Sequence, residues 1–226
     1  MPAPTSVLIR EIPLFPLPEV VLFPQAELPL HIYENRYKQM VNNLLKTDKQ
    51  FGVLFLDNKS GKAFSTGCTA EIKHALHLPD GRINIRTQGL KRFKLLEITE
   101  HEPYLVGLVK WLMDDPPKAD LLSLQQEANI LVNNIVRLTN KLTKSLMPGC
   151  DTNEHIRLPL TLPDNPESFS FWVANNLFSD PYEKQALLAL TDTKLRLEQQ
   201  INSLKVLSKE LVARAAIEDA FSPSLS

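Results

Sequence analysis

Histidine side chains are the first candidates for metal binding or general-base chemistry in this sequence. His74 and His77 form the motif H-A-L-H. Their segment is predicted as a β-strand, in which residues three apart face opposite sides, so the pair is not expected to share a metal ion. His31, His101 and His155 lack a neighbouring group in the sequence that would indicate a catalytic triad. We therefore predict no catalytic residue and no metal site.

The cysteines and a search for nucleotide-binding and hydrolase motifs also indicate no catalytic or cofactor-binding site. Cys68 and Cys150 match no metal-binding spacing, so reduced thiols in a cytoplasmic protein are expected. Neither a Gly-rich phosphate loop nor a G-x-S-x-G motif is present, and we predict no cofactor. A basic leader with an apolar stretch is missing, as is any apolar run of about 18 residues, so no membrane contact is predicted.

A basic run is the one feature that points to nucleic acid. It comprises five residues on or beside two predicted strands: Arg82, Arg86, Lys91, Arg92 and Lys94. Alternation places Arg92 and Lys94 on one face, opposite Phe93, and that basic face could hold RNA phosphates. A solvated polar face is the simpler interpretation, because no aromatic platform accompanies the run. The net charge of −1 also disfavours general binding of polyanions.

An apolar segment rich in proline, residues 12–33, is the candidate for polypeptide binding. Prolines exclude a helix or a central strand, so we predict an edge strand and a packed loop, with residues 20–23 as the strand. Its large side chains either fill the core or remain partly open, held by the prolines as a surface for unfolded chains. The candidates within the segment are Leu17, Val20, Phe23, Leu28 and Leu30.

Hydrophobic periodicity predicts two subdomains with an α+β fold. Residues 7–113 show short alternating runs, one amphipathic helix after Glu34 and a hairpin turn at residues 78–81, which together indicate a bent sheet or barrel. Residues 114–117 are predicted as a linker. Residues 118–220 carry apolar residues at helical spacing, and 221–226 form a frayed tail. With 226 residues, 43% of them apolar, the chain can bury a large core.

Four helices are predicted in the second subdomain. Their capping residues are Asp120, Asn165, Asp180 and Asp192. The last helix, from residue 192 to residue 220, would be about 43 Å long at 1.5 Å per residue. That exceeds the needs of a small domain, so part of its apolar face is predicted to pair with a second copy of the chain.

Three segments together carry a family resemblance. Residues 12–41 contain P-L-P-E-V-V-L-F-P, residues 67–98 contain L-P-D-G and G-L-K-R-F, and residues 183–201 add a late helical stretch. The chain resembles the Lon N-terminal domain, the substrate-recognition part of the ATP-dependent protease La. The form P-L-H-I-Y-E-N-R-Y around Arg36 is similar to that of stand-alone Lon-domain proteins.

The resemblance implies a PUA-like β domain followed by a helical bundle. It also implies that the module binds unfolded or tagged polypeptides at its N-terminal apolar segments, to which we add Arg36, and serves as adaptor to a separate protease or chaperone. No ATPase or Ser-Lys peptidase segment precedes Ser226, so a non-enzymatic role is expected. RNA binding through the basic face remains the alternative.

Overall fold

The computed structural model describes residues 9–117, 120–146 and 162–221, which form two compact units. The first unit comprises the chain up to Asp114 together with Leu177–Thr191. The second comprises Asp115–Asn176 and the chain from Asp192 onward. The predicted tail is residues 221–226: Phe221 ends the last helix, whereas residues 222–226 and most of the connection that precedes Asn165 lie outside the described residues.

The first unit is built on six strands. They are β1 (Ile9–Pro18), β2 (Glu27–Ile32), β3 (Gln50–Leu56), β4 (Ala63–His77), β5 (Ile83–Glu100) and β6 (Val106–Trp111). The sheet order is β2-β5-β4-β3-β1-β6, and β5 also pairs with β6. That second pairing closes the sheet, with β2 attached to residues 83–88 of β5 and β6 to residues 93–100. The predicted bent sheet or barrel is therefore confirmed.

The prolines of β1 are accommodated in a way that the sequence did not indicate. β1 lies between β3 and β6 in the sheet order, so the expectation that this segment could not be a central strand is wrong. Residues 9–13 pair only with β6, and residues 14–18 pair only with β3. Each half of the strand thus has one open side, where a proline loses no ladder hydrogen bond.

The strand predicted at residues 20–23 is also wrong. β1 ends at Pro18, and Glu19 and Gln25 adopt positive φ values of 59° and 66° at the two ends of the loop that follows. Within that loop Leu22 and Phe23 are buried, at 3% and 0% exposure. The loop is therefore fixed to the sheet by its own side chains and, at its end, by backbone hydrogen bonds with Gly89, whose carbonyl accepts from Gln25 N–H and whose N–H donates to the Ala26 carbonyl, each at 2.8 Å.

Helix α1 (Asn35–Leu44) covers one face of the sheet, as its amphipathic pattern predicts. Its buried residues are Tyr37, Met40, Val41 and Leu44. They pack in one cluster with side chains from the inner face of the strands, including Ile72, Ile83 and Ile85. The inner face is thus filled, and the side chains between these residues point away from the cluster.

Helix α4 (Pro181–Ala189) belongs to the sheet unit, although the periodicity had assigned it to the helical subdomain. It contacts β4, and the Gln185 side-chain amide donates to the Thr66 carbonyl at 2.9 Å. Tyr182 packs edge-on against Phe55 at 5.2 Å between ring centroids. These are contacts between residues more than 100 positions apart in the chain, which helical periodicity cannot reveal.

The second unit contains α2 (Leu122–Leu146), α3 (Pro166–Leu177) and α5 (Thr193–Phe221). The predicted capping residues are in place: Asp120, Asn165 and Asp192 each accept a backbone N–H of the first helical turn. The α2 and α5 helices pack along each other. No helix in the described part of the chain combines the length and apolar character of a membrane span.

Candidate functional site

An open groove of about 650 Å³ lies on the outer face of β2, β5 and β4. Strand register explains its lining, because it aligns residues of the three strands in two rows. One row is Pro29, Arg86 and His74, and the next is His31, Asn84 and Leu76. All six side chains are exposed, and Leu30 and Ile85 complete the lining. The pairing of the three strands therefore brings the groove residues together.

A β-bulge in β4 orients the groove side chains. Ile72 pairs with Thr87 and His74 with Arg86, so β4 has one extra residue, Lys73, at this point. Such an insertion changes which face the following side chains occupy. Ile72 is buried at 3% exposure, whereas His74 is exposed. Leu76, two residues further on, is 51% exposed. The bulge thus places His74 and Leu76 together on the outer face.

Polar contacts fix one end of the groove. His31 Nδ1 lies 2.6 Å from Asn84 Oδ1, and His31 Nε2 lies 3.2 Å from an Arg82 guanidinium nitrogen. With the hydrogen on Nδ1, His31 donates to Asn84 and accepts from Arg82. Arg82 in turn is paired with Asp80 at 2.6 Å. The groove therefore has a preorganised end.

The other end of the groove carries the guanidinium group of Arg86, which is available to bind an anion. Among the described residues, the Arg86 side chain has neither an ion-pair nor a hydrogen-bond partner. No carboxylate belongs to the groove lining. The exposed apolar surface of Pro29 and Leu76 adjoins this guanidinium group. The arrangement can hold an apolar side chain next to an anion.

The six residues predicted to bind polypeptide are only partly brought together. Leu17, Leu28 and Leu30 are half-buried against the core cluster beneath α1, and Leu30 also contributes to the groove lining. Val20 is half-buried in the loop after β1. Arg36 is exposed, paired with Glu34 at 2.8 Å and placed over the Tyr37 ring at 4.6 Å.

Phe23 is a core residue. Its side chain is fully buried, and its backbone oxygen lies where a Cβ on Gly89 would be only 2.1 Å away. The loop thus crosses β5 in direct contact with the strand backbone, which requires a glycine there. This corrects the assignment of Phe23 to a polypeptide-binding surface.

The predicted basic face is not continuous. Arg92 is 2% exposed, since its guanidinium donates to the Leu188 and Leu190 carbonyls at the end of α4 at 2.7 and 2.6 Å and pairs with Asp114. The placement of Arg92 on a solvated face is therefore wrong, because α4 covers that part of the sheet. Lys91 lies 5.8 Å from the centre of the Trp111 ring, whereas Lys94 is exposed. Only Arg82 and Arg86 lie close to the groove.

The two histidines of the H-A-L-H motif have different surroundings. His74 lines the groove, whereas His77 Nε2 lies 3.0 Å from Asn42 Oδ1 of α1. Within residues 9–117, 120–146 and 162–221, no group of three or more His, Cys, Asp or Glu could hold a metal ion.

Sequence reasoning missed His31, His74, Leu76 and Asn84 as a common surface. The hairpin turn at residues 78–81 was the available signal, because it pairs the end of β4 with the start of β5. The attachment of β2 to β5 had no local signal, since about 50 residues separate their paired segments.

Residues 11–206 match the family model of the ATP-dependent protease La (LON) substrate-binding domain. The chain belongs to this Lon domain family. The sheet followed by helices is the fold that the family resemblance implied.

Curated relatives of this Lon domain are full proteases. The Lon protease of Parabacteroides distasonis is 30% identical over 210 residues, covering 88% of this chain and 24% of the relative. The Lon protease of Cytophaga hutchinsonii is 27% identical, covering 80% of this chain and 22% of the relative. The chain thus spans about a quarter of the length of these relatives.

Solved Lon domains share the fold. The crystal structure of a Lon N-terminal domain protein from Xanthomonas campestris gives a TM-score of 0.61 at 24% identity, covering 85% of this chain and 98% of that one. The N-terminal domain of Mycobacterium avium complex Lon protease gives 0.60 at 14% identity, covering 87% and 98%. These two similarities show a shared fold.

Proposed function

We propose that this Lon domain is a polypeptide-recognition module that binds unfolded or tagged segments in the groove on β2, β5 and β4. The observation that carries the proposal is the groove itself: an exposed apolar surface on a rigid sheet, in a chain whose family is described as substrate-binding. The three strands are held by the core cluster beneath them. A bound segment therefore meets a preformed surface, which limits the ordering cost of association.

The groove replaces most of the segment at residues 12–33 as the proposed contact surface. Leu30 joins the two, since it belongs to that segment and also lines the groove. Leu17, Val20 and Leu28 keep a supporting role, because they are half-buried and hold β2 and the preceding loop in place. Arg36 stays in the proposal as an exposed residue on α1 that a longer segment could reach.

The module is proposed to present polypeptides rather than to cut them. The family match supports this role, because it covers the substrate-binding part of the relatives. A separate protease or chaperone would act on the bound segment. A cytoplasmic location is proposed as well, and the free, buried thiol of Cys68 supports it, since free cysteines are typical of reducing compartments.

Self-association through α5 is a further part of the proposal. The side chains of Val206, Val212 and Ile217 are 58%, 53% and 59% exposed, and a second copy could bury them. Light scattering over a concentration series tests it, and a constant monomer mass contradicts it.

Fluorescence anisotropy with a labelled, permanently unfolded protein tests polypeptide binding. Leu76→Ser removes exposed apolar surface from the groove, and we expect it to weaken binding about tenfold. Leu96→Ser is the matched control, because Leu96 lies on β5, is 47% exposed and is not part of the groove lining. Equal binding by wild type and Leu76→Ser, or an equal loss in both variants, contradicts the assignment to the groove.

A further inference from the structure

The charged groups in and beside the groove restrict the kind of ligand that it can bind. Arg86 is exposed and without a partner among the described residues, while the nearby Arg82 is neutralised by Asp80. His74 is directly opposite Arg86 on β4. The lining contributes nitrogen donors and apolar carbon but no carboxylate. A carboxylate is therefore the side chain that complements Arg86, because a guanidinium group can bind it through two parallel hydrogen bonds.

The two rows of the groove set a spacing. Arg86 belongs to one row, and Leu76 belongs to the next, which is paired with Asn84 two residues before Arg86. Leu76 and Arg86 lie on neighbouring strands, so they are diagonal neighbours about 7–8 Å apart. An extended polypeptide places the side chains of residues i and i+2 on one face about 6.6 Å apart, which is close to that distance. An acidic residue at i and an apolar residue at i+2 thus match the two rows.

The position of Pro29 favours binding of a polypeptide through its side chains and not through backbone pairing. β2 has one neighbour in the sheet, β5, so its other side is an edge. A proline in such a strand lacks the N–H that an added strand would need, and it blunts backbone pairing at the edge. A bound segment would then lie across the outer face, where Leu76 and Arg86 are exposed.

We infer that the groove selects extended polypeptide segments that carry an acidic side chain and an apolar side chain two residues apart. Arg86 binds the carboxylate, and Pro29 and Leu76 contact the apolar side chain. The inference rests on the proposed function and specifies its substrate class.

Three labelled peptides of equal length and one RNA oligonucleotide test the inference by fluorescence anisotropy. One peptide contains Asp-Thr-Leu, the second Lys-Thr-Leu, and the third Asp-Leu-Thr, which places the two side chains on opposite faces. We expect wild type to bind the first about tenfold more tightly than either of the others. Arg86→Gln should abolish the preference for Asp over Lys. Arg214→Gln, which removes an exposed arginine from α5, should keep it.

The outcomes separate this inference from the proposed function. Equal binding of the three peptides, or a preference that survives Arg86→Gln, overturns the inference and leaves general polypeptide binding intact. No binding of any peptide or unfolded protein overturns both. Tighter binding of the RNA than of any peptide also overturns the inference, and loss of that RNA binding in Arg86→Gln would assign Arg86 to phosphate. Leu76→Ser is the second variant, and it should weaken the first peptide while circular dichroism confirms an unchanged fold.

Discussion

Arg92 and Asp114 form an ion pair that is almost wholly removed from solvent, with side-chain exposures of 2% and 5%. The guanidinium also donates to the backbone carbonyls of Leu188 and Leu190 at the end of α4. One side chain thus connects β5, the chain after β6 and the end of α4 within the sheet unit. Burial makes the fold sensitive to the loss of either member, because removing one leaves an uncompensated charge in the interior.

Arg92→Met is therefore expected to lower the free energy of unfolding by about 3–5 kcal/mol. Urea denaturation followed by circular dichroism measures the change. Arg86→Met is the matched control, since Arg86 is an exposed arginine on the same strand and its loss should change stability by less than about 0.5 kcal/mol. Equal unfolding midpoints for the two variants would mean that the Arg92 contacts contribute nothing.

Gly89 tests how the loop around Phe23 is held. A Cβ at this position would lie 2.1 Å from the Phe23 carbonyl oxygen, a backbone atom that cannot rotate away. Gly89→Ala should thus displace the loop and destabilise the fold by about 1–3 kcal/mol. Thermal denaturation checks the stability, and proteolysis checks the loop. A variant as stable and as resistant to proteolysis as wild type would show that the loop does not rest on β5.

Cys68 should be chemically inert in the folded protein. Burial raises the pKa of its thiol from 9.0 to about 12, and the reactive thiolate is correspondingly rare. In a Cys150→Ser background, reaction of the thiol with a disulfide reagent at pH 8 is expected to be at least about a hundredfold slower in the folded than in the denatured protein. Rapid reaction in the native state would contradict the burial of Cys68.

Asp57 should make stability depend on pH. The Tyr182 hydroxyl donates to its carboxylate at 2.6 Å, and Ser60 and the Lys59 N–H add further bonds, so the pKa of Asp57 lies below its ordinary value of 3.8. A depressed folded-state pKa contributes stability above that ordinary value, and the contribution is lost as the pH falls through the folded-state pKa. Asp57→Asn should thus be less stable than wild type at pH 7.

The difference between Asp57→Asn and wild type should shrink as the pH is lowered below 3.8. Melting temperatures at a series of pH values measure it. Tyr182→Phe serves as the control for the hydrogen bond, because it removes the donor and leaves the ring packed on Phe55. A difference that grows as the pH falls would contradict the assigned direction of the pKa shift.

Local patterns predicted most of the elements of the fold. The period of the apolar residues located α1 and the helices of the second unit, and the capping residues Asp120, Asn165 and Asp192 are in place. The hairpin turn at residues 78–81 joins β4 and β5 as predicted. These features depend on residues within a few positions of one another, which is why the sequence reveals them.

The features that the sequence did not predict depend on packing between residues far apart in the chain. The assignment of Arg92 to a basic surface failed because α4, nearly 100 residues later, covers that part of the sheet. Phe23 could not be recognised as core from composition, since an apolar residue in a proline-rich loop fits either environment. The candidate groove needed the pairing of β2 with β5 and a bulge at Lys73, and neither follows from local propensity.

Photo-crosslinking tests the central claim most directly. A photoreactive amino acid replaces Leu76 of β4 in the groove or Leu96 of the neighbouring strand β5 outside it, and each variant is irradiated with a labelled unfolded protein. The account predicts strong crosslinks from position 76, suppressed by excess Asp-Thr-Leu peptide, and weak crosslinks from position 96. Crosslinks of equal strength at both positions, or none at position 76 while binding persists, would contradict polypeptide recognition by the outer face of β2, β5 and β4.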